Sequence, residues 1–274
     1  MKVAAIQMCS SDVVATNLAT AGRLLAEAAA AGAALALLPE NFAFMGRSER
    51  DRLAVAEADG VGPIQEFLAA TAARLGITLI GGTIPLRVAA DPGRVAAASL
   101  AYGPDGARAG RYDKIHLFDV DLPDGGGAYR ESAGTFAGTG TEVVASAAGP
   151  VGLSVCYDMR FPELYRLLAA RGAQLLTVAA AFTVPTGEAH WHVLLRARAI
   201  ENLCAVVAAA QWGEHANGRR TYGHSLIVDA WGHVLAELPG GEGFALADVD
   251  LARQATLRKE FPALTHRVLG RPEV

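Results

Sequence analysis

Three segments of this chain close an apolar run with a side chain able to do chemistry. In LALLPENF, Pro39 stops the run Leu35 to Leu38 and Glu40 follows; in GRYDKIHLFDVDLP, Lys114 comes just after a strand-like run; in GPVGLSVCYDMRFPELYR, Cys156 closes the run Val151 to Val155, before a helix that starts near Pro162. The carboxyl ends of strands are where open α/β sheets build their sites. Taken singly, these residues read as a solvated carboxylate, a surface ammonium and a small buried thiol. Lys114 carries an added signal, because only three of the 24 basic residues are lysines, and an ammonium is a compact point charge that fits beside a developing oxyanion. Taken together, the three compose an acyl-transfer centre. No histidine adjoins Cys156, so a carboxylate would take the thiol proton. Lys114 and the Tyr157 N–H would then hold the oxyanion of a tetrahedral intermediate.

Presenting such groups calls for an α/β layer. Apolar runs predict strands near Val3 to Met8, Ala34 to Leu38, Ile77 to Gly81, Ala97 to Tyr102, Glu142 to Ala145, Val151 to Val155, Gln174 to Ala179, Ala205 to Ala209, His224 to Asp229 and Phe244 to Asp248. Helical periodicity covers Asn17 to Ala31, Ile64 to Leu75, Pro162 to Arg171 and Glu188 to Leu203. Strands from Ala205 onward lack crossover helices, which predicts antiparallel pairs in a mixed sheet. The glycine-rich stretch Asp119 to Phe136 is expected to be a long functional loop. With no linker and no fixed-period repeat, residues 1–274 are expected to form a single domain.

Composition narrows the function classes. The 274 residues are 52% hydrophobic and 19% charged, which supports a real core and excludes disorder. A net charge of −4 without a basic stripe argues against nucleic acid as a partner. Neither the start MKVAAIQMCSS nor the uncharged stretch Gly172 to Gly187 reads as a secretion signal or a membrane span. A cytoplasmic protein without a membrane partner is therefore expected, and Cys9, Cys156 and Cys204, which form no CxxC pair, fit reduced thiols.

Other motifs carry less. On a helix His190 and His192 point about 200° apart and cannot close on one ion, so no catalytic metal is expected. Gly125, Gly126 and Gly127 lack the Lys-Ser/Thr of a phosphate loop and read as a flexible turn. Ser154 lacks the final glycine of a hydrolase elbow, since Cys156 stands there. His224 reads as a strand residue, and Trp191, Trp212 and Trp231 as packing residues. Asp158 and Arg160 read either as an internal ion pair or as part of a substrate site.

LLPENF, YDKIHLFD and GLSVCYDMRFPELYR resemble, in chain order, the three signatures of the nitrilase superfamily, carbon–nitrogen hydrolases with a Glu-Lys-Cys catalytic set. YRES around Glu131, AAFTVPTGEAHW, LLRARAIEN and RRTYGHSLIVDAWG are similar to the Nit branch, whose members are amidases of deaminated glutathione and of ω-amides of keto acids. The resemblance runs from Ala4 to about Leu251. It implies a four-layer αββα sandwich, a homodimer paired across its outer helices, a small-molecule amide substrate and no cofactor. It also implies Glu40 as general base and acid, Lys114 as the oxyanion-stabilising lysine, Cys156 as nucleophile and Glu131 as a second glutamate that orients the lysine and substrate. Arg160, Phe182 and Thr186 correspond to contacts with a substrate carboxylate, the last two in a strand-loop segment.

Within the branch, FTVPTG, RARAIEN and GRRTYGHSLIVD are closer to members acting on deaminated glutathione than to those acting on α-ketoglutaramate. The expected reaction is hydrolysis of a linear carboxamide to a carboxylate and ammonia through a cysteine thioester. A nitrilase or N-carbamoyl amine hydrolase on the same scaffold, and a non-catalytic scaffold protein, are the alternatives. Intact Glu40, Lys114, Glu131 and Cys156 speak against the last. One position departs: relatives commonly read His-Trp-Glu where this chain has His190, Trp191 and His192, which exchanges a carboxylate for a titratable ring.

Overall fold

A computed structural model describes residues 1–122 and 127–269, in which two mixed sheets pack face to face with helices outside each. The first sheet runs in the order Gly243–Asp248, Lys2–Gln7, Leu35–Leu37, Thr78–Ile80, Val95–Tyr102, Ile84–Arg87, and both Arg108–Asp113 and Thr135–Phe136 also pair with Val95–Tyr102. The second runs Val143–Val144, Val151–Gly152, Leu175–Ala180, Ala205–Ala210, Ser225–Val228, Val234–Leu238. Helices α1 (Val14–Ala30) and α2 (Pro63–Leu75) cover the first sheet, and α3 (Pro162–Ala170) and α4 (Val184–Asn202) cover the second. Helix α5 (Leu251–Glu260) follows the last strand. This is the expected αββα sandwich, with the expected antiparallel pairs after Ala205.

The central strands read as unbroken apolar runs because both of their faces are buried. Val3, Ala5, Leu35, Leu37 and Ile80 join the core shared with the second sheet, while Ala4, Ile6, Ala36, Leu38 and Leu79 pack beneath the outer helices against Leu24, Leu25 and Leu68. Successive residues alternate between the two cores, as a pleated strand demands.

Elements with a wet face break that pattern. Arg108–Asp113 and α5 carry exposed polar residues and are not marked by apolar runs, while the edge strand Val234–Leu238 is mostly apolar but leaves Val234 and Leu235 exposed. The stretch Asp119 to Phe136 is not an irregular loop. Strands Asp119–Asp121 and Ala128–Arg130 pair as a hairpin, and a 3₁₀ turn, Glu131–Ala133, follows. Gly125 and Gly126 of the glycine run lie outside the described residues. Helix α4 starts four residues earlier than the periodicity predicts, so Thr186 sits on its first turn rather than in a strand-loop segment. His224 precedes the strand Ser225–Val228 instead of lying within it. Of the three tryptophans, Trp191 is buried as expected, but Trp212 and Trp231 are 37% and 52% exposed. Among the described residues no helix is long and apolar enough to cross a membrane.

Candidate active site

Glu40 comes three residues after Leu35–Leu37, Lys114 directly after Arg108–Asp113, and Cys156 at the first residue of the 3₁₀ turn Cys156–Arg160. Close backbone passages hold the first two segments. A Cβ on Gly82 would lie 2.0 Å from the Pro39 carbonyl oxygen, and one on Gly138 2.1 Å from that of Asp113, so only glycine fits at either place. Cys156 has φ +47° and Asn41, next to Glu40, φ +57°. Such left-handed backbone costs a non-glycine residue about 1–3 kcal/mol and persists only where the surroundings enforce it.

The side chains converge. Lys114 Nζ donates to Glu40 Oε1 at 2.8 Å and to Glu131 Oε1 and Oε2 at 2.9 and 2.8 Å. Glu40 Oε2 accepts the Ala181 N–H at 2.8 Å, and Glu131 Oε2 accepts the Phe118 N–H at 2.7 Å. The Cys156 thiol and the Glu40 carboxylate are close enough for each to shift the other's proton affinity. Lys114, Glu40 and Glu131 are only 1%, 4% and 7% exposed. Taking an ammonium out of water costs several kcal/mol unless paired, and here two carboxylates face it.

Burial pushes the Glu40 carboxyl up, but the Lys114 ammonium and its hydrogen bond, helped by Arg219, outweigh burial and hold it below the ordinary carboxylate range. Burial likewise opposes the Lys114 charge, yet Glu131 and Glu40 together raise its proton affinity above the usual lysine value. The Cys156 thiol is driven well above its usual value, first by burial and then by the Glu40 charge, with Lys114 and Arg219 pulling the other way. The resting arrangement is therefore carboxylate, ammonium and neutral thiol, not a preformed thiolate.

Asp158 is not paired with Arg160. Fully buried, it accepts from Tyr112 OH (2.7 Å), from the Val155 N–H (2.9 Å) and from the His116 N–H (3.1 Å), and its Oδ1 lies 2.7 Å from His116 Nδ1. Tyr112 and His116 flank Lys114, so one carboxylate ties the lysine segment to the turn that carries Cys156. Arg160 turns outward instead. Its guanidinium lies over the rings of Phe182 (5.3 Å) and Tyr157 (5.8 Å) and bonds His190 Nδ1 at 3.2 Å.

The cluster opens into a small cavity lined by Glu40, Lys114, Glu131 and Cys156, with Tyr157, Phe182 and Thr186 on its wall. Arg160 and His192 are not among the lining residues; Arg160 meets the wall only through the rings of Phe182 and Tyr157. The sequence reading missed two lining cations, Arg52 and Arg219. Arg52 pairs with Glu49 and donates to Thr135 Oγ1, 83 positions away. Arg219 donates to the Ala181 carbonyl, lies 5.3 Å from the Tyr129 ring, and has no hydrogen-bond partner for Nε among the described residues. Ala181 and Thr135 are too distant to leave a local pattern, and the Glu49–Arg52 pair, three residues apart, reads as an ordinary helical ion pair. The wall thus holds three cations, Lys114, Arg52 and Arg219, against three carboxylates, Glu40, Glu49 and Glu131.

An αββα sandwich that gathers a thiol, carboxylates and an ammonium in one cavity has the layout of a hydrolase of carbon–nitrogen bonds. The family model for carbon–nitrogen hydrolases matches residues 2–259, and the chain belongs to that family. It is 44% identical over 267 residues to the deaminated glutathione amidase of Synechocystis sp., covering 97% of each chain. It is 42% identical over 268 residues to the Homo sapiens protein of the same name, covering 97% of this chain and 81% of that one. Among solved structures, the C. elegans NitFhit protein matches with a TM-score of 0.90 at 37% identity; the match covers 97% of this chain and 64% of that longer one. An amidase from Nesterenkonia sp. AN1, whose active site cysteine carries acrylamide by Michael addition, matches with a TM-score of 0.78 at 28% identity, covering 95% and 99% of the two chains.

Proposed function

We propose that the protein hydrolyses the amide of deaminated glutathione, or of a closely related keto-acid ω-amide, through a thioester on Cys156. The observation that carries the chemistry is the Lys114 ammonium bonded to both Glu40 and Glu131 beside the thiol. Two relatives above 40% identity named for that substrate support the specificity. As Sγ attacks the carbonyl carbon, Glu40 takes the thiol proton, and the oxyanion is held by Lys114 and the Tyr157 N–H. All three Lys114 protons are engaged at rest, so one of the two bonds to Glu131 is released to the oxyanion while Glu131 keeps the other. Glu40 then protonates the leaving nitrogen, takes a proton from the water that opens the thioester, and returns it to the departing Cys156 sulfur. Phe182 and Thr186 on the wall meet the substrate carboxylate, Arg160 binds it once its side chain swings from His190 past the Phe182 ring, and Arg219 adds positive potential near the sulfur.

Ammonia leaves only from a primary amide. The amide nitrogens of deaminated glutathione belong to cysteine and glycine, so with that substrate the second product is an amine. Three free thiols fit a reducing compartment such as the cytoplasm. Exposed Leu167 on α3 with Val193 and Ile200 on α4 fit a homodimer across the outer helices, which light scattering would test.

The deciding experiment gives the purified protein deaminated glutathione, α-ketoglutaramate, glutamine, an N-carbamoyl amine and a nitrile. Amine release is followed by mass spectrometry and ammonia by a coupled assay. The highest kcat/KM is expected on deaminated glutathione, with no turnover of the nitrile. A preference for the carbamoyl amine or the nitrile would overturn the substrate reading.

A further inference from the structure

The departure at position 192 has a counterpart in space, outside the lining of the catalytic cavity. His192 faces the opposite way from His190, and its Nε2 lies 2.9 Å from Glu237 Oε1. The same oxygen meets His224 Nδ1, and the three donor atoms all lie within 4.8 Å of one another. Three elements deliver them: α4, the turn before Ser225–Val228, and the strand Val234–Leu238. The turn is pinned. Trp191 Nε1 donates to the His224 carbonyl at 2.8 Å, the His224 N–H donates to the Pro239 carbonyl at 3.3 Å, and the residue has φ +57°. Tyr222 stacks on the His224 ring at 4.2 Å.

We propose that His192, His224 and Glu237 form a binding site for a divalent metal ion of the zinc class, separate from the catalytic cavity. Two imidazole nitrogens and one carboxylate suit Zn²⁺, Cu²⁺ or Ni²⁺ rather than Mg²⁺ or Ca²⁺. With metal–ligand bonds of about 2.0–2.2 Å, donor atoms around a tetrahedral ion stand about 3.3 Å apart. The trio, now at hydrogen-bond separations, reaches that spacing with small side-chain rotations as the ion replaces shared protons. The three side chains are 34%, 25% and 26% exposed, so water completes the coordination. A glutamate at 192 would leave a single imidazole, so it is the histidine there that completes the set. A bound ion fastens α4 to the second sheet, beside Trp191, whose ring packs on the cavity residue Phe182 at 5.1 Å.

The test titrates the chelator-stripped full chain with Co²⁺ followed by absorption, and with Zn²⁺ followed by calorimetry and Tm. One Co²⁺ per chain is expected, with no thiolate-to-cobalt charge-transfer band, and Zn²⁺ should raise Tm. His192→Gln and Glu237→Gln should each weaken binding about tenfold or more, since even loss of a group behind a ligand costs 10–100-fold. His224→Asn should do the same while preserving the turn, because asparagine tolerates left-handed backbone. His190→Ala should bind as wild type. Absence of bound Co²⁺, a thiolate band, or unchanged affinity in His192→Gln would overturn the proposal and leave a carboxylate shared by two imidazoles.

Discussion

Strand for strand, the first sheet and the second run alike. Each begins with an antiparallel neighbour, continues through three parallel strands and ends in antiparallel pairs. Helices α1 and α2 connect the parallel strands of one, α3 and α4 those of the other, and Gly32 and Gly172 turn the chain after α1 and α3 with φ of +96° and +92°. The matching strand ends carry unlike cargo. After Leu35–Leu37 comes Glu40; after Leu175–Ala180 comes Ala181, whose N–H binds that same Glu40. The first half holds fixed charges, Glu40 and Lys114. The second holds the thiol, backbone donors and the mouth residues Arg160, Phe182 and Thr186. Shared topology fixes where a group is presented, and the residue placed there decides what it does.

If the halves divide the chemistry in this way, removing the second half's thiol should do the most damage. Cys156→Ala is expected to lower kcat by about 10⁴-fold or more with the fold retained, and intact-mass analysis of wild type quenched on a slow substrate should find the acyl group on Cys156. An adduct on Cys9 or Cys204 would assign the nucleophile elsewhere. Next comes the first half's cation: Lys114→Ala should lose about 100- to 1000-fold in kcat. The double variant should be no worse than Cys156→Ala alone, and additive losses would mean that the two halves act independently.

A smaller effect is expected at the mouth. Arg160→Ala should reduce kcat/KM for a carboxylate-bearing amide by about 5- to 150-fold, equivalent to about 1–3 kcal/mol, while its neutral methyl ester is hardly affected. Equal losses on both substrates would make Arg160 a structural residue. The smallest effect should come from pH. Glu40, lowered in the folded protein, contributes stability above the unfolded carboxylate value and loses it as pH falls through its folded value. Lys114, raised, contributes below the unfolded lysine value and loses it as pH rises through its folded value. Neither titrates near neutrality and the thiol stays protonated there, so kcat/KM should vary less than about twofold from roughly pH 6 to 8.5. A limb in that window would show that another group gates the reaction.

How much of this was legible in sequence follows from burial. Runs such as Val3 to Ile6 are apolar on both faces and announce their strands, and Glu40 and Cys156, which end such runs, were found with them; Lys114 follows a polar strand and was found through the rarity of lysine in the chain. Glu131 was found through resemblance alone, because the hairpin that delivers it is short and exposed. Arg219 was missed because its side chain meets Ala181 across 38 positions, and Arg52 because Thr135 lies 83 positions away and its near partner Glu49 reads as an ordinary i, i+3 pair. Asp158 was misread for the same reason: its neighbour in sequence is Arg160, but its partners Tyr112 and His116 lie more than 40 residues away.

The Asp158 tie also bears on how the molecule assembles. Its contacts span 42 and 46 positions and join segments from different sheets, as does the meeting of Glu40 with Ala181 across 141. Contacts with such long loops form only after most of the ordering entropy has been met, late in the folding reaction. Neither sheet alone holds the Cys156 thiol beside the Glu40 carboxylate, so a half-folded chain has no assembled catalytic centre. Regain of turnover during refolding should lag the appearance of sheet signal, which makes enzymatic activity a reporter of the moment the sandwich closes.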